Sequence, residues 1–265
     1  MADVTGTYFR YVALGDSQTE GVGDGDDATG LRGWADRLAG QLATENPELL
    51  YANLAVRGRL AHQVHEQQLP AALALNPDIA TVVAGANDIL RPGCDLEVVV
   101  GHLESMFAAL TAHGTVVATL TFPDLSRITP LARPVRHRIV ELNERIRAAA
   151  RPHGVYVAEI AGHDAALDPR QWSSDRLHCS SLGHQRIADA MAEALGLPGS
   201  DDAWTRPLPP GPRVDSLRAV TTELRWAAGF LGPWLGRRVL GRSSGDGRLP
   251  KRPALSPVAP LQVRK

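Results

Sequence analysis

Short apolar runs recur along the chain, and longer amphipathic stretches separate them. The runs are Tyr11–Gly15, Leu50–Leu54, Ile79–Ala84, Thr115–Thr121 and Val155–Glu159. They are nearly continuously hydrophobic rather than alternating, which is typical of parallel strands that are covered by helices on both faces. The pattern therefore predicts the buried strands of a parallel sheet.

Helical periodicity fills the intervals between and after these runs. Apolar residues recur on one helical face in the segments Leu31–Thr44, Gly58–Gln68, Leu96–His113, Pro134–Ala150 and Ser181–Leu195. Regular alternation of strands and helices predicts a parallel sheet with right-handed crossovers. We therefore expect an α/β fold, a three-layer α/β/α sandwich whose five-stranded parallel sheet has the flavodoxin-like order 2-1-3-4-5.

The composition changes after Gly196 and divides the chain. Residues 1–199 contain every predicted strand and form one domain, and residues 200–214 are a predicted proline-rich linker. An amphipathic helical extension is expected over residues 215–242, followed by a disordered tail over residues 243–265, which is rich in glycine, proline and arginine. Residues 201–265 carry a formal charge of +7, which leaves −8 on the first 200 residues, so the C-terminal extension is basic.

The bulk composition is that of an ordinary globular protein. The 265 residues are 44% hydrophobic and 22% charged, with a formal net charge of −1, so the whole chain offers no electrostatic case for binding nucleic acid. The two cysteines, Cys94 and Cys179, belong to no Cys-x-x-Cys pair and are expected to be free thiols. No secretory signal and no apolar stretch that could cross a bilayer is visible, so the cytoplasm is the predicted compartment.

The first predicted strand ends by presenting a serine, Ser17. Gly15 and Gly21 on either side permit the tight backbone of a strand-to-helix turn that exposes a nucleophile. A serine hydroxyl is a poor nucleophile at neutral pH unless a base takes its proton, so a histidine with an orienting carboxylate should lie elsewhere in the chain. Asp175-Arg176-Leu177-His178 fits, because its spacing lets the carboxylate reach Nδ1 while Nε2 faces outward. Taken alone, Ser17 could be a helix N-cap and His178 a structural histidine.

Donors for a developing oxyanion follow two other predicted strands. Gly58 follows the second strand, although Arg59 is an alternative at that position, and Asn87 follows the third. In the predicted sheet order, the first and third strands flank the switch point at which α/β clefts open. We therefore expect the backbone N–H groups of Ser17 and Gly58 and the amide of Asn87 to converge on one oxyanion.

Four sequence blocks together resemble those of the SGNH hydrolases, also called the GDSL esterase/lipase family. The blocks are Gly15–Gly21, Gly58 after Asn53, Gly85–Asp88 and Asp175–His178. The resemblance implies Ser17 as the nucleophile, His178 as the base and Asp175 as the residue that orients it. It also implies Ser17, Gly58 and Asn87 as oxyanion-hole donors, with no metal and no cofactor required.

The resemblance spans residues 8–197 and implies hydrolysis of a small-molecule carboxylic ester through an acyl-serine intermediate. The same catalytic set would serve a carbohydrate deacetylase, a lysophospholipase or thioesterase, or an acyltransferase, and these alternatives stay open. An interpretation of another class is a non-catalytic scaffold. Its basic C-terminal extension would contact a membrane surface or another protein.

Several further residues have plain structural interpretations. The acidic segment Gly23–Asp27 could be interpreted as a calcium site. It lacks the ligand spacing and the terminal glutamate of an EF-hand, so we expect a solvated loop. Asp16 is expected to support the nucleophile turn, and His184 to be a structural residue of the last helix. Arg91 and Trp172 are expected at the border of the cleft.

Overall fold

A mostly parallel sheet forms the centre of the molecule. The computed structural model describes residues 7–128, 130–210 and 244–258. Its strands are β1 (Arg10–Gly15), β2 (Gly25–Asp26), β3 (Gly30–Leu31), β4 (Leu50–Asn53), β5 (Ile79–Val83), β6 (Val116–Leu120), β7 (Tyr156–Ala158) and β8 (Arg252–Pro257). The main sheet has the order β7-β6-β5-β1-β4-β8, while β2 and β3 form a separate small hairpin. Its five parallel strands confirm the predicted order 2-1-3-4-5.

The sheet has a sixth strand, because the end of the chain returns to it. β8 runs antiparallel along β4, with Tyr51 opposite Ser256 and Asn53 opposite Arg252. The prediction of a disordered tail over residues 243–265 is therefore wrong for residues 244–258. Proline is tolerated in β8 because an edge strand has one side on which it need not donate N–H groups. Residues 211–243, which include the end of the predicted linker and the predicted helical extension, lie outside the described residues.

Helices cover the sheet on both faces. They are α1 (Ser17–Glu20), α2 (Trp34–Glu45), α3 (Ala61–Gln63), α4 (Leu69–Ala74), α5 (Ala86–Ile89), α6 (Leu96–Ala112), α7 (Arg136–Ala150) and α8 (Ser181–Ala194). A π-helical stretch, Val64–Gln68, joins α3 to α4. α2 packs against α8 in one layer, and α6 packs against α7 and α3 in the other. This arrangement is the predicted three-layer sandwich.

The main core lies between the sheet and these helical layers. Every residue of β5 is buried, and in β1 only the first residue is partly exposed. This burial explains the continuous hydrophobic runs in the sequence, because strands covered on both faces have no solvent side for polar residues. The carboxyl ends of β1 and β5 lie side by side, with Gly15 opposite Val83.

A buried histidine joins α8 to the start of α2. His184 is fully buried, its Nδ1 accepts a hydrogen bond from the N–H of Trp34 at 3.1 Å, and its Nε2 donates to the carbonyl of Val22 at 3.1 Å. A backbone N–H can only donate, so Nδ1 must be unprotonated. Burial lowers the pKa of His184 to about 4, and the ring is neutral in the folded protein at neutral pH. His184 has the structural role that the sequence predicts.

The free energy of unfolding should depend on His184 in acid. The folded pKa of about 4 lies below the ordinary value of about 6.5, so the unfolded chain binds more protons between these values. Stability is therefore lost as the pH falls from about 6.5 toward about 4, by at most roughly 3 kcal/mol. His184→Gln retains a donor and an acceptor without a titrating ring and should reduce this acid sensitivity. Urea unfolding at both ends of the range measures it, and equal losses in the two proteins would contradict the prediction.

Candidate active site

The site begins where Gly15 carries the chain from β1 into α1. A side chain at this position would overlap Oγ1 of Thr19 and the carbonyl oxygen of Val83, so the close approach requires glycine. The Gly15 N–H donates to Oε1 of Gln68, and the Gly15 carbonyl accepts from Nε2 of the same amide, both at 2.9 Å. Gln68 is the last residue of the π-helical stretch, and such irregular turns occur frequently at functional sites. Gln68 thus fixes the peptide groups that precede the predicted nucleophile turn.

Asp16, and not Ser17, caps α1. Oδ1 of Asp16 accepts a hydrogen bond from the N–H of Gln18 at 3.2 Å. The N-cap interpretation of Ser17 is therefore wrong. The hydroxyl of Ser17 instead lies in the cavity at the ends of the parallel strands.

Ser17, His178 and Asp175 form a continuous series of hydrogen bonds. Oγ of Ser17 lies 2.9 Å from Nε2 of His178, and Nδ1 of His178 lies 2.6 Å from Oδ2 of Asp175. The other oxygen of Asp175 accepts from the N–H groups of Leu177 and His178, both at 2.9 Å. Burial alone would raise the pKa of Asp175, but the His178 ring and these N–H donors outweigh it and lower the pKa to about 2. An ionised carboxylate beside Nδ1 favours the Nδ1–H tautomer, so Nε2 can accept the serine proton.

Gln18 connects helix α1 to the loop that carries His178. Its Nε2 donates to the carbonyl of Leu177 at 2.9 Å, and its Oε1 accepts from the N–H of Cys179 at 3.4 Å. The amide therefore binds the backbone on both sides of His178. Sequence reasoning missed Gln18, because a glutamine has no chemistry of its own at such a site. Its position next to Ser17 was the only available signal.

The predicted oxyanion donors lie around the same cavity. Gly58 adopts a positive φ of 77°, and among the described residues its N–H has no protein acceptor. Nδ2 of Asn87 lies 2.9 Å from Oδ2 of Asp16 and 3.1 Å from the carbonyl oxygen of Arg59. Ser17, Gly58 and Asn87 all line the cavity. The N–H of Arg59 instead donates to the carbonyl of Val56 at 3.4 Å, which disfavours Arg59 as the alternative donor.

Asp16 is a buried carboxyl group at the centre of this arrangement. It is only 2% exposed, and it contacts Asn87 through Oδ2 and Gln18 through Oδ1. Burial raises the pKa of Asp16 to about 7, although the Gln18 N–H and the nearby His178 partly oppose that increase. Asp16 supports the turn as the sequence predicts, and it also changes its charge close to neutral pH.

The cavity above Ser17 is largely apolar. Its volume is about 290 Å³. Away from the hydrogen-bonded residues, its walls are apolar side chains that include Val83, Leu90, Leu120, Phe122, Ile160 and Leu177. Trp172 lines the cavity as predicted. Arg91 does not line it; this residue is exposed, and its carbonyl accepts a hydrogen bond from Nη1 of Arg138 at 2.8 Å.

The carboxylates of the acidic loop are bound to protein groups. Oδ1 of Asp26 accepts from the N–H of Thr29 at 2.7 Å within the β2–β3 hairpin, and Asp24 pairs with Arg37 at 2.7 Å. Asp27 pairs with Arg57 at 2.7 Å. In the described ranges no cluster of three or more His, Cys, Asp or Glu side chains is arranged to hold a metal ion. Residues 25–30 are exposed, as expected of a solvated loop, and they form a small hairpin whose acidic side chains are bound to protein groups.

Comparison with known proteins assigns the chain to a family. Residues 13–186 match the model of the GDSL-like lipase/acylhydrolase family. The chain belongs to this family. The resemblance inferred from the four sequence blocks is therefore confirmed, and so is the prediction of an SGNH-type esterase. No helix in the described ranges combines the length and hydrophobicity needed to cross a bilayer.

Solved structures share the fold at low sequence identity. LAE5, an α/β hydrolase enzyme from the metagenome of Lake Arreo, Spain, is 23% identical, with a TM-score of 0.59, over 71% of this chain and 95% of its own. Axe2, an acetylxylan esterase from Geobacillus stearothermophilus, is 18% identical, with a TM-score of 0.59, over 75% of this chain and 96% of its own. No curated protein matches the chain. Both of these structures are matched almost completely, whereas a quarter or more of this chain lies outside the match.

Gln18→Ala should slow ester hydrolysis without unfolding the protein. Losing both amide contacts frees the backbone around His178, and misplacing a reacting group by about 1 Å can cost on the order of 100-fold in rate. We expect kcat for an aryl ester to fall by at least about tenfold, with little change in Tm. Gln67→Ala is the matched control, because Gln67 is exposed on the π-helical stretch. Equal kcat values for the two variants would refute a role for Gln18.

Proposed function

We propose that this chain hydrolyses carboxylic esters through an acyl-Ser17 intermediate. The observation that carries the proposal is the hydrogen-bonded series from Ser17 through His178 to Asp175, with separations of 2.9 Å and 2.6 Å. His178 takes the hydroxyl proton as Oγ attacks the ester carbonyl, and it then returns that proton to the leaving alcohol. In the second half of the reaction, His178 activates a water molecule that releases the acid. Asp175 holds the ring and stabilises the imidazolium in both halves.

Three donors would stabilise the tetrahedral intermediate. These are the N–H groups of Ser17 and Gly58 and the Nδ2 group of Asn87, all of which belong to residues around one cavity. A negative charge on Asp16 would repel the oxyanion, because Oδ2 of Asp16 lies 2.9 Å from that amide nitrogen. The raised pKa of Asp16, about 7, keeps part of the population protonated at neutral pH and reduces this repulsion. The two Nδ2–H groups of Asn87 are directed to Asp16 and to the carbonyl of Arg59, so one of these hydrogen bonds must weaken when the amide donates to the oxyanion.

Ser17→Ala tests the covalent step. The variant should lose several orders of magnitude in turnover of an aryl acetate, and it should no longer react with a fluorophosphonate probe. Asn87→Ala should lower kcat by roughly 100- to 1,000-fold while Ser17 is still present to react. Ser105→Ala, at an exposed position of α6, is the matched control and should keep full activity. Near-normal turnover by Ser17→Ala would overturn the proposed function.

The apolar cavity favours an ester whose acyl group is longer than acetyl. Its volume is about 290 Å³, and most of its lining away from Ser17 and His178 is apolar. An acetyl group would leave most of this apolar surface uncovered, whereas an alkyl chain would bury it against Leu120, Phe122 and Ile160. This feature favours the lysophospholipase or thioesterase alternative over carbohydrate deacetylation, the activity named for Axe2. Acyl transfer would use the same cavity.

A series of aryl esters of increasing acyl length tests this preference. Each additional buried methylene contributes about 0.8 kcal/mol, or up to about fourfold in kcat/KM. We expect kcat/KM to rise from acetate through the medium-chain esters. Leu90→Trp, which fills part of the cavity, should remove the gain for longer esters and leave acetate hydrolysis nearly unchanged. A steady decline from acetate onward in the unmodified enzyme would refute the preference and support a deacetylase.

A further inference from the structure

We propose that residues 244–251, here called the C-terminal strap, complete the active site by holding the Arg57–Gly58 loop in place. The proposal rests on the proposed role of Gly58 as an oxyanion donor. The strap leads into β8 and lies beyond residue 186, where the family match ends. It therefore adds a positioning element from outside the matched region of this family.

The backbone of the strap packs directly against the backbone of the Arg57–Gly58 loop. A side chain at Gly245 would overlap the carbonyl oxygen of Arg57, and its Cβ would lie 3.2 Å from Cγ1 of Val56. The strap thus lies against the peptide group that connects Arg57 to Gly58. Its neighbouring residue, Ser244, lines the catalytic cavity together with Ser17 and Gly58. One residue of the cavity lining consequently comes from the strap.

A series of ion pairs also connects the strap to the Arg57–Gly58 loop. Nη2 of Arg57 donates to Glu20 and to Asp27, both at 2.7 Å, and the N–H of Arg57 donates to Glu20 at 2.6 Å. The other carboxylate oxygen of Asp27 accepts from Nη2 of Arg248 at 2.7 Å. Glu20 belongs to α1, the helix that begins at Ser17. The strap is therefore connected through charged groups to the helix of the nucleophile.

The two halves of this series differ in strength. The Arg57 and Glu20 side chains are 14% and 8% exposed, so their pairing is poorly screened by solvent. Asp27 and Arg248 are 51% and 41% exposed, and pairs of that kind contribute little. The packing of Gly245 against Arg57 should therefore matter more than the outer ion pair.

The far end of the strap is anchored firmly enough to transmit this constraint. Nζ of Lys251 donates to Asp36 at 2.5 Å and to the carbonyl of Leu31 at 3.1 Å. Immediately after it, Arg252 begins β8, and its guanidinium lies 5.1 Å from the ring centroid of Tyr51 on β4. β4 also leads into the Arg57–Gly58 loop. The loop itself and the strap that packs against it are therefore both attached to the same edge of the sheet.

The decisive experiment compares Gly245→Ala with Gly101→Ala in the full chain. Gly101 is an exposed glycine of α6 with an ordinary φ, and an added Cβ there meets nothing within 4 Å, so this control tests a glycine replacement without a clash and without backbone strain. Gly245→Ala must displace either the strap or the loop. We expect it to lower kcat for an aryl ester by at least about tenfold with little change in KM, because the Gly58 donor acts mainly in the transition state. Arg248→Ala should cost only about two- to fivefold, and Arg248→Lys should restore part of that loss.

Two further measurements separate this proposal from the proposed function. The double variant Gly245→Ala/Asn87→Ala should lose less than the product of the single losses, since both changes act on one oxyanion. Hydrogen exchange over residues 56–60 should be faster in Gly245→Ala than in Gly101→Ala, and this readout requires no substrate. An active wild type with unchanged kcat in Gly245→Ala would overturn the strap proposal alone. Unchanged exchange would overturn it even if no ester were hydrolysed, whereas loss of the Ser17 requirement would overturn only the proposed function.

Discussion

The contact between Oγ of Ser17 and Nε2 of His178 is the interaction on which the rest of the site depends. It joins residues 161 positions apart at a distance of 2.9 Å. Misplacing one of the two partners by about 1 Å can cost on the order of 100-fold in rate, so both partners must be held in position. The parallel sheet brings the two loops to the same edge, because parallel strands present all their carboxyl ends on one side. The sheet alone does not fix the final distance.

Short polar contacts around the site fix the distance between these two side chains more closely than the sheet does. Gln68 binds the backbone of Gly15, two residues before Ser17. Gln18 binds the backbone on both sides of His178, and Glu20 binds Arg57 next to Gly58. Each of these side chains is itself bound to backbone or to an opposite charge. Such networks stabilise a single geometry strongly, because a partly satisfied network in a buried region is unfavourable. Local contacts therefore set the exact positions of the site residues, although these residues come from distant parts of the chain.

The sequence was sufficient for the strand order and for the residues of the hydrogen-bonded series. Continuous apolar runs identify strands buried on both faces, and the spacing from Asp175 to His178 reflects a single turn of backbone. The supporting residues could not be predicted in this way, since the roles of Gln18 and Gln68 exist only after remote segments meet. The cavity walls were missed for a related reason: an apolar residue such as Phe122 looks the same in a sequence whether it fills the core or borders a cleft. β8 was missed because its composition is that of a disordered segment.

The prolines of β8 made this strand hard to predict from the sequence, and they also affect the tendency of the folded protein to aggregate. Without this strand, β4 would be the open edge of the sheet, and its unpaired backbone groups could recruit a strand from another molecule. With it, the outermost strand contains Pro253 and Pro257, which have no N–H to offer to a neighbour. The end of the chain thus closes the sheet with a boundary that discourages aggregation, a benefit to the folded protein that is separate from any contribution to catalysis.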